Sequence, residues 1–199
     1  MRWLILVLLI MGQAPDKTAQ TNLADDVLMG GPDSPVKIEL FSDFQCPACR
    51  TFYLDTVTRL LSEYSGAKKV CIVFRDFPLE MHPVGRVAAR YSVAAKSLGH
   101  DQWLKVIEYL YTCQAEWSYN GKIEPVLSRI LSAQEMVKLR EELKSPSIEQ
   151  AINRSVSLGN SKGVTSTPTF FATMGGKEQK VASPMQFALL KAFIDPYLK

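Results

Sequence analysis

Two apolar segments on either side of a Cys-x-x-Cys motif limit this chain to a small set of folds. Residues 36–42 have the composition of a strand, and Cys46 and Cys49 follow after a short turn. Apolar residues at helical spacing then predict a helix from about 46 to 64. The continuous apolar run at 69–75 is typical of a parallel strand covered on both faces. The pattern predicts a right-handed βαβ unit with both cysteines at the beginning of its helix.

The rest of the chain predicts how this unit is extended. From about 80 to 162 the apolar pattern is helical, with no convincing strand. Two further strands are predicted at 169–173 and 179–182, joined by a glycine turn. A terminal helix is predicted at 185–198. We therefore predict an α/β layout: a mixed β-sheet with an inserted all-helical subdomain.

Composition and charge narrow the function classes. The chain has 199 residues, of which 47% are hydrophobic and 22% charged, which is typical of a globular protein with its own core. The net charge is only +3. Because there is also no dense cluster of basic residues with interleaved aromatics, we predict no nucleic-acid binding.

The N-terminus has a pattern typical of export. A short positive start, an apolar run and small residues before position 15 predict that residues 1–14 are a signal peptide or a membrane anchor. Residues 15–33 are polar and rich in turn formers, so they are predicted to be a linker before the domain at 34–199. The alternative is a buried N-terminal element of a cytosolic protein. Export would place the cysteines in an oxidising compartment, periplasmic or secreted, where disulfides persist.

The chemistry is predicted to lie in the Cys-x-x-Cys motif. A cysteine in the first turn of a helix faces unpaired N–H groups and the positive end of the helix dipole, which lower its pKa. Cys46 is therefore the candidate nucleophile, and Cys49, one turn further in, the resolving thiol. A static disulfide or half of a zinc site are the alternatives, although no second Cys-x-x-Cys or His-x3-His supplies further zinc ligands.

A proline at the beginning of a core strand is the second unusual feature. Pro168 removes a donor from the sheet ladder just before the strand at 169–173. A cis Thr167–Pro168 bond would account for it and would mark a place where the backbone approaches a partner.

Together these segments resemble the DsbA-like thiol–disulfide oxidoreductases, which are thioredoxin folds with a helical insertion. The resemblance covers roughly residues 34–198, and its motifs occur in the order expected for that family. They lie at 44–49, at 74–79 with 81–83, at 163–164 and at 167–171.

The resemblance implies a role for each matching residue. Cys46 resembles the solvent-facing catalytic cysteine and Cys49 its buried partner. Pro168 resembles the cis-proline that faces the disulfide, and Thr167 the residue whose backbone pairs with an extended substrate. Ser166 stands where a glycine is common in the family.

A buried acid beneath the disulfide relays the proton of the resolving thiol in thioredoxin-like proteins. Glu39 resembles that acid with an offset of one residue, and burial would raise its pKa as a general base needs. Asp43 is nearer to the cysteines in sequence and is a second candidate for the proton relay. Its alternative role is to cap the loop.

The resemblance implies an enzyme that exchanges disulfides with unfolded or cysteine-containing proteins, without an organic cofactor or metal. A membrane redox partner would reoxidise Cys46 and Cys49. The direction stays open between an oxidase and a reductase or isomerase, and a non-catalytic peptide-binding adapter is a further alternative. Cys71 and Cys113 are the remaining cysteines. Whether they pair, and the oligomeric state, also stay open.

Overall fold

The fold is described from a computed structural model, which covers residues 26–66 and 68–198. Five strands form one sheet in this part of the chain: β1 Val27–Met29, β2 Val36–Ser42, β3 Val70–Asp76, β4 Thr169–Met174 and β5 Lys177–Val181. The α-helices are α1 Pro47–Phe52, α2 Thr58–Tyr64, α3 Gly85–Ala95, α4 His100–Thr112, α5 Gln114–Trp117, α6 Glu124–Leu127, α7 Ala133–Glu142, α8 Pro146–Ser161 and α9 Phe187–Ile194. A π-helical segment, Tyr53–Val57, joins α1 to α2 in one continuous helical run.

The sheet is mixed, and its strand order is β1-β3-β2-β4-β5. The central pair, β2 and β3, is parallel and is connected through α1 and α2, which is the predicted βαβ unit. β4 runs antiparallel to β2, and β5 continues as a hairpin from β4. Helices α3 to α8 are all inserted between β3 and β4. The predicted α/β fold with a helical insertion is therefore confirmed.

The two faces of the sheet are packed differently. On the first face, alternate residues of β2 and β3 such as Leu40 and Phe74 join a core that includes both cysteines of the motif. On the second face, a smaller cluster of Phe41, Phe77, Val164 and Phe171 packs against α8. Because side chains alternate along a strand, each residue of β2 is assigned to one of these two environments.

The predicted linker at 15–33 was wrong in part, because its end contains a strand. β1 pairs antiparallel with β3, with Val27 opposite Val73. A cavity of about 280 Å³ opens beside it on the second face. The predicted signal peptide or anchor at 1–14 lies outside the described residues. Among the helices within those residues, none is both long and apolar enough to cross a membrane.

Candidate active site

Cys46 and Cys49 lie where β2 passes into α1, at the edge of the central parallel pair. Cys46 is the N-cap of α1 in an extended conformation, with φ −72° and ψ 121°, and Pro47 begins the helix. Pro47 is suited to this position because the first N–H of a helix has no intrahelical partner. Cys46 is 7% exposed and Cys49 0%. The structure holds both as free thiols, so its geometry describes the reduced pair.

The two thiols have opposite ionisation tendencies. A hydrogen bond from the Cys49 thiol, together with the N–H groups of Cys49 and Ala48, outweighs burial and lowers the pKa of Cys46 from 9.0 to about 5. Burial, followed by the interaction with Cys46, raises the pKa of Cys49 well above 9.0. Near neutral pH the pair therefore has one thiolate, at Cys46, and one thiol that donates to it.

The loop before β4 faces the Cys46 sulfur. The Thr167–Pro168 peptide bond is cis, as the sequence predicts. Cys46 Sγ lies 3.4 Å from the Thr167 carbonyl oxygen, to which it donates a hydrogen bond only when it is protonated. Motifs that are 121 residues apart in the sequence thus meet at one point.

Glu39 does not lie beneath the cysteines, so its predicted role as a proton relay is wrong. It shares the second face of the sheet with Phe41, whereas Cys49 packs on the first face. Its carboxylate accepts hydrogen bonds from Arg75 Nε at 2.8 Å and from Lys162 Nζ at 2.8 Å. The offset of one residue explains the error, because a shift of one position moves a strand side chain to the opposite face.

Asp43 is close to the pair, but its oxygens are occupied by the surrounding loop. Its backbone N–H points to Cys49 Sγ at 3.5 Å. Oδ1 accepts from the Gln45 N–H, while Oδ2 accepts from the Leu79 N–H and lies 2.7 Å from His82 Nδ1. These contacts are those of a loop cap and leave neither carboxylate oxygen directed at the Cys49 thiol.

Asp76 is a buried acid that the sequence analysis missed. It ends β3 opposite Ser42, whose hydroxyl lies 2.7 Å from the buried Tyr111 hydroxyl. By strand alternation Asp76 shares the first face with Phe74 and the cysteine pair. Burial raises its pKa from 3.8 to about 7, and Oδ1 has no hydrogen-bond partner among the described residues. Its position at the carboxyl end of a central parallel strand was the available signal, since sites in α/β sheets lie at that edge.

Comparison with known proteins agrees with this geometry. A family model described as thioredoxin matches residues 22–196. The chain belongs to the thioredoxin family. The probable disulfide bond formation protein D of Bacillus anthracis is 25% identical over 178 residues, which is 86% of this chain and 77% of that protein.

Two solved structures share this fold. Wolbachia pipientis alpha-DsbA1 superimposes with a TM-score of 0.72 at 21% identity, covering 87% of this chain and 90% of that one. BdbD from Bacillus subtilis, in its oxidised form, gives a TM-score of 0.71 at 19% identity, covering 87% and 92%. Within the thioredoxin family, this chain is a DsbA-like thiol–disulfide oxidoreductase, which confirms the resemblance.

The helical insertion of this thioredoxin-family chain contacts the turn that carries Cys46. Gln45 Nε2 donates to the Ser118 carbonyl oxygen at 2.8 Å, and its Oε1 accepts from the Val84 N–H at 2.8 Å. Gln114 Nε2 donates to the carbonyl oxygens of Phe44 and Cys46, at 2.6 and 3.0 Å. Nothing in the spacing of the two glutamines relates them to the cysteines, so the sequence predicts no role for either.

The other two cysteines of this oxidoreductase lie on opposite sides of the sheet. Cys71 lines the cavity on the second face, and burial raises its pKa. Cys113 belongs to the core on the first face, and burial raises its pKa as well. Both are free thiols, and the sheet separates the regions in which they lie.

Proposed function

We propose that this chain is an exported protein-disulfide oxidase that acts through a mixed disulfide at Cys46. The observation that carries the proposal is the asymmetry of the pair. Cys46 has its pKa lowered to about 5 at the beginning of α1, and Cys49 is fully buried with its pKa raised. A stabilised Cys46 thiolate favours the reduced pair, so the disulfide form is a stronger oxidant.

The exchange transfers two electrons from a substrate dithiol to the Cys46–Cys49 disulfide. A thiolate of the substrate attacks Cys46 Sγ of the oxidised pair, the Cys46–Cys49 bond breaks, and Cys49 takes up a proton. A second substrate thiolate then attacks the substrate sulfur of the mixed disulfide and releases Cys46 as a thiolate. The substrate loses two electrons and gains a disulfide, while the pair is reduced. A membrane partner that carries its own disulfide would reoxidise the pair.

The loop before β4 and a buried acid have further roles in this proposal. The Thr167 carbonyl beside Cys46 would pair with an extended substrate backbone, with Pro168 holding that edge of the site. Asp76 would exchange the Cys49 proton through Ser42, since its pKa of about 7 allows both protonation states near neutral pH.

Refolding of reduced ribonuclease tests the proposal. The purified chain with oxidised glutathione should accelerate recovery of ribonuclease activity, and Cys46→Ala should abolish the acceleration. Cys71→Ala is the matched control and should behave as the unmodified chain. Faster insulin reduction without faster ribonuclease oxidation, or a reduction potential near the thioredoxin value of about −270 mV, would identify a reductase instead. No turnover with either substrate would favour the alternative function, a non-catalytic peptide-binding adapter.

Export is tested on the full chain produced in a bacterial host. Mass spectrometry of the protein from each cell fraction should find it outside the cytosol. A cytosolic protein with residues 1–14 intact contradicts this part of the proposal.

A further inference from the structure

Gln114 is the buried polar residue of the helical insertion that contacts the backbone on both sides of the active-site turn. It begins α5, immediately after the end of α4, and only 6% of it is exposed. Its single amide nitrogen donates to the carbonyl oxygens of Phe44 and Cys46, at 2.6 and 3.0 Å. Buried side-chain amides require such partners, so this contact fixes the insertion against the turn.

The Cys46 carbonyl has a second function in the same place. It accepts the first hydrogen bond of α1, from the Arg50 N–H at 3.1 Å. Cys46 itself is extended, with ψ 121°, while the next residue begins the helix. The Cys46 peptide therefore determines the direction of the N–H groups of Ala48 and Cys49, which act on the Cys46 sulfur.

We propose that Gln114 is a positioning residue for the redox pair: it holds the Phe44–Cys46 turn so that the first N–H groups of α1 stay directed at the Cys46 sulfur. The proposal rests on the proposed function, because it concerns how the pair is tuned. The Gln114 amide bonds to backbone carbonyl oxygens and not to the reacting sulfur. It acts through two backbone carbonyls, and it makes the insertion part of the redox chemistry.

The physical reason is local. Without the Gln114 donor, the Phe44 carbonyl oxygen would lose its hydrogen bond and the Cys46 carbonyl oxygen would keep only the one from the Arg50 N–H. The turn would then relax around a buried carbonyl that has lost its partner. A small rotation of the Cys46 peptide weakens the N–H contacts to the thiolate, because hydrogen bonds to charged groups depend on distance and angle.

Gln114→Met is the appropriate variant, since methionine has a similar shape and no donor. The matched control is Gln102→Met, at the opposite end of α4, where the amide nitrogen bonds to Glu135. We expect Gln114→Met to lower the equilibrium constant for oxidation of glutathione by the pair about tenfold, a change of about 30 mV. The ultraviolet titration of Cys46 should shift to higher pH, and Gln102→Met should change neither quantity.

A purely structural role for Gln114 predicts a different result. The melting temperature would fall, while the glutathione equilibrium constant and the Cys46 titration would stay within twofold of the unmodified chain. That result overturns the proposal but leaves the oxidase function intact. An inactive unmodified chain would instead contradict the proposed function.

A measurement on the unmodified chain covers the case in which Gln114→Met does not fold. The side-chain amide resonances of Gln114 should shift with the same midpoint as the Cys46 titration, because the turn that it holds senses the thiolate. Resonances that stay constant across that titration overturn the proposal.

Discussion

Removal of the Cys49 thiol should raise the pKa of Cys46, because the hydrogen bond from that thiol is the largest influence that lowers it. A hydrogen bond to a charged group contributes about 1.5–3 kcal/mol. One pKa unit corresponds to about 1.4 kcal/mol, so Cys49→Ala should raise the Cys46 pKa from about 5 by roughly one to two units.

Thiolate absorbance near 240 nm measures this shift between pH 3 and 9. The Cys49 thiol does not interfere in the unmodified chain, since burial raises its pKa well above 9.0. Cys71→Ala, which removes a thiol on the second face, should titrate like the unmodified chain. If Cys49→Ala titrates with an unchanged midpoint near pH 5, the hydrogen bond between the two thiols is not the cause, and the reasoning is refuted.

The same pKa sets a limit on the oxidising strength of the pair. At pH 7 a thiol with a pKa of about 5 is more stabilised by ionisation than one with a pKa of 9.0, by up to about 2.7 kcal/mol. Solvent at the opening of the site reduces this value. Roughly 30 mV corresponds to 1.4 kcal/mol. Ionisation of Cys46 should therefore make the disulfide more oxidising by at most about 60 mV than the same pair with a Cys46 pKa of 9.0.

Three further changes test other parts of the structure. Asp76 has its pKa raised to about 7, so the folded state binds its proton more tightly than the unfolded state, and stability should fall as pH rises from about 4 through 7. Asp76→Asn should flatten this dependence by up to about 4 kcal/mol in urea unfolding, and an equally steep profile in the variant contradicts the assignment. Glu39→Gln should leave ribonuclease oxidation within twofold while lowering the unfolding free energy by about 1–3 kcal/mol, because it weakens the pairing of the buried Arg75; a large loss of activity would restore Glu39 to the mechanism. Gly159→Ala should destabilise the chain by about 1–3 kcal/mol, since its Cβ would lie 2.4 Å from the Phe77 ring; an unchanged melting temperature would contradict this packing.

Local sequence patterns were enough to predict a strand or helix where that element is long and uniformly buried. The predicted strand at 36–42 agrees with β2, and the apolar run at 69–75 is displaced by one residue from β3. β1 was missed because it has only three residues, followed closely by glycine and proline, and gains its partner from β3. Short edge strands have little signal of their own, since pairing rather than propensity stabilises them.

The positions of Glu39 and Asp76 show that a strand pattern cannot predict which acid lies near the cysteines. Glu39 and Asp76 are both acids in central strands, and a sequence does not show which face of the sheet the following helix covers. In the structure α1 covers the face of Leu40 and Asp76, so Glu39 pairs with Arg75 on the opposite face.

The sequence by itself determined the βαβ unit, the position of Cys46 at the beginning of a helix and the presence of a helical insertion, because these depend on local periodicity and on spacing. Only the tertiary structure decided which groups lie around the active-site turn. The Thr167 carbonyl, Asp76 and Gln114 come from three other elements of the chain. Their approach depends on how the sheet, the cis-proline loop and the insertion pack together, and packing over such separations leaves no periodic trace in the sequence.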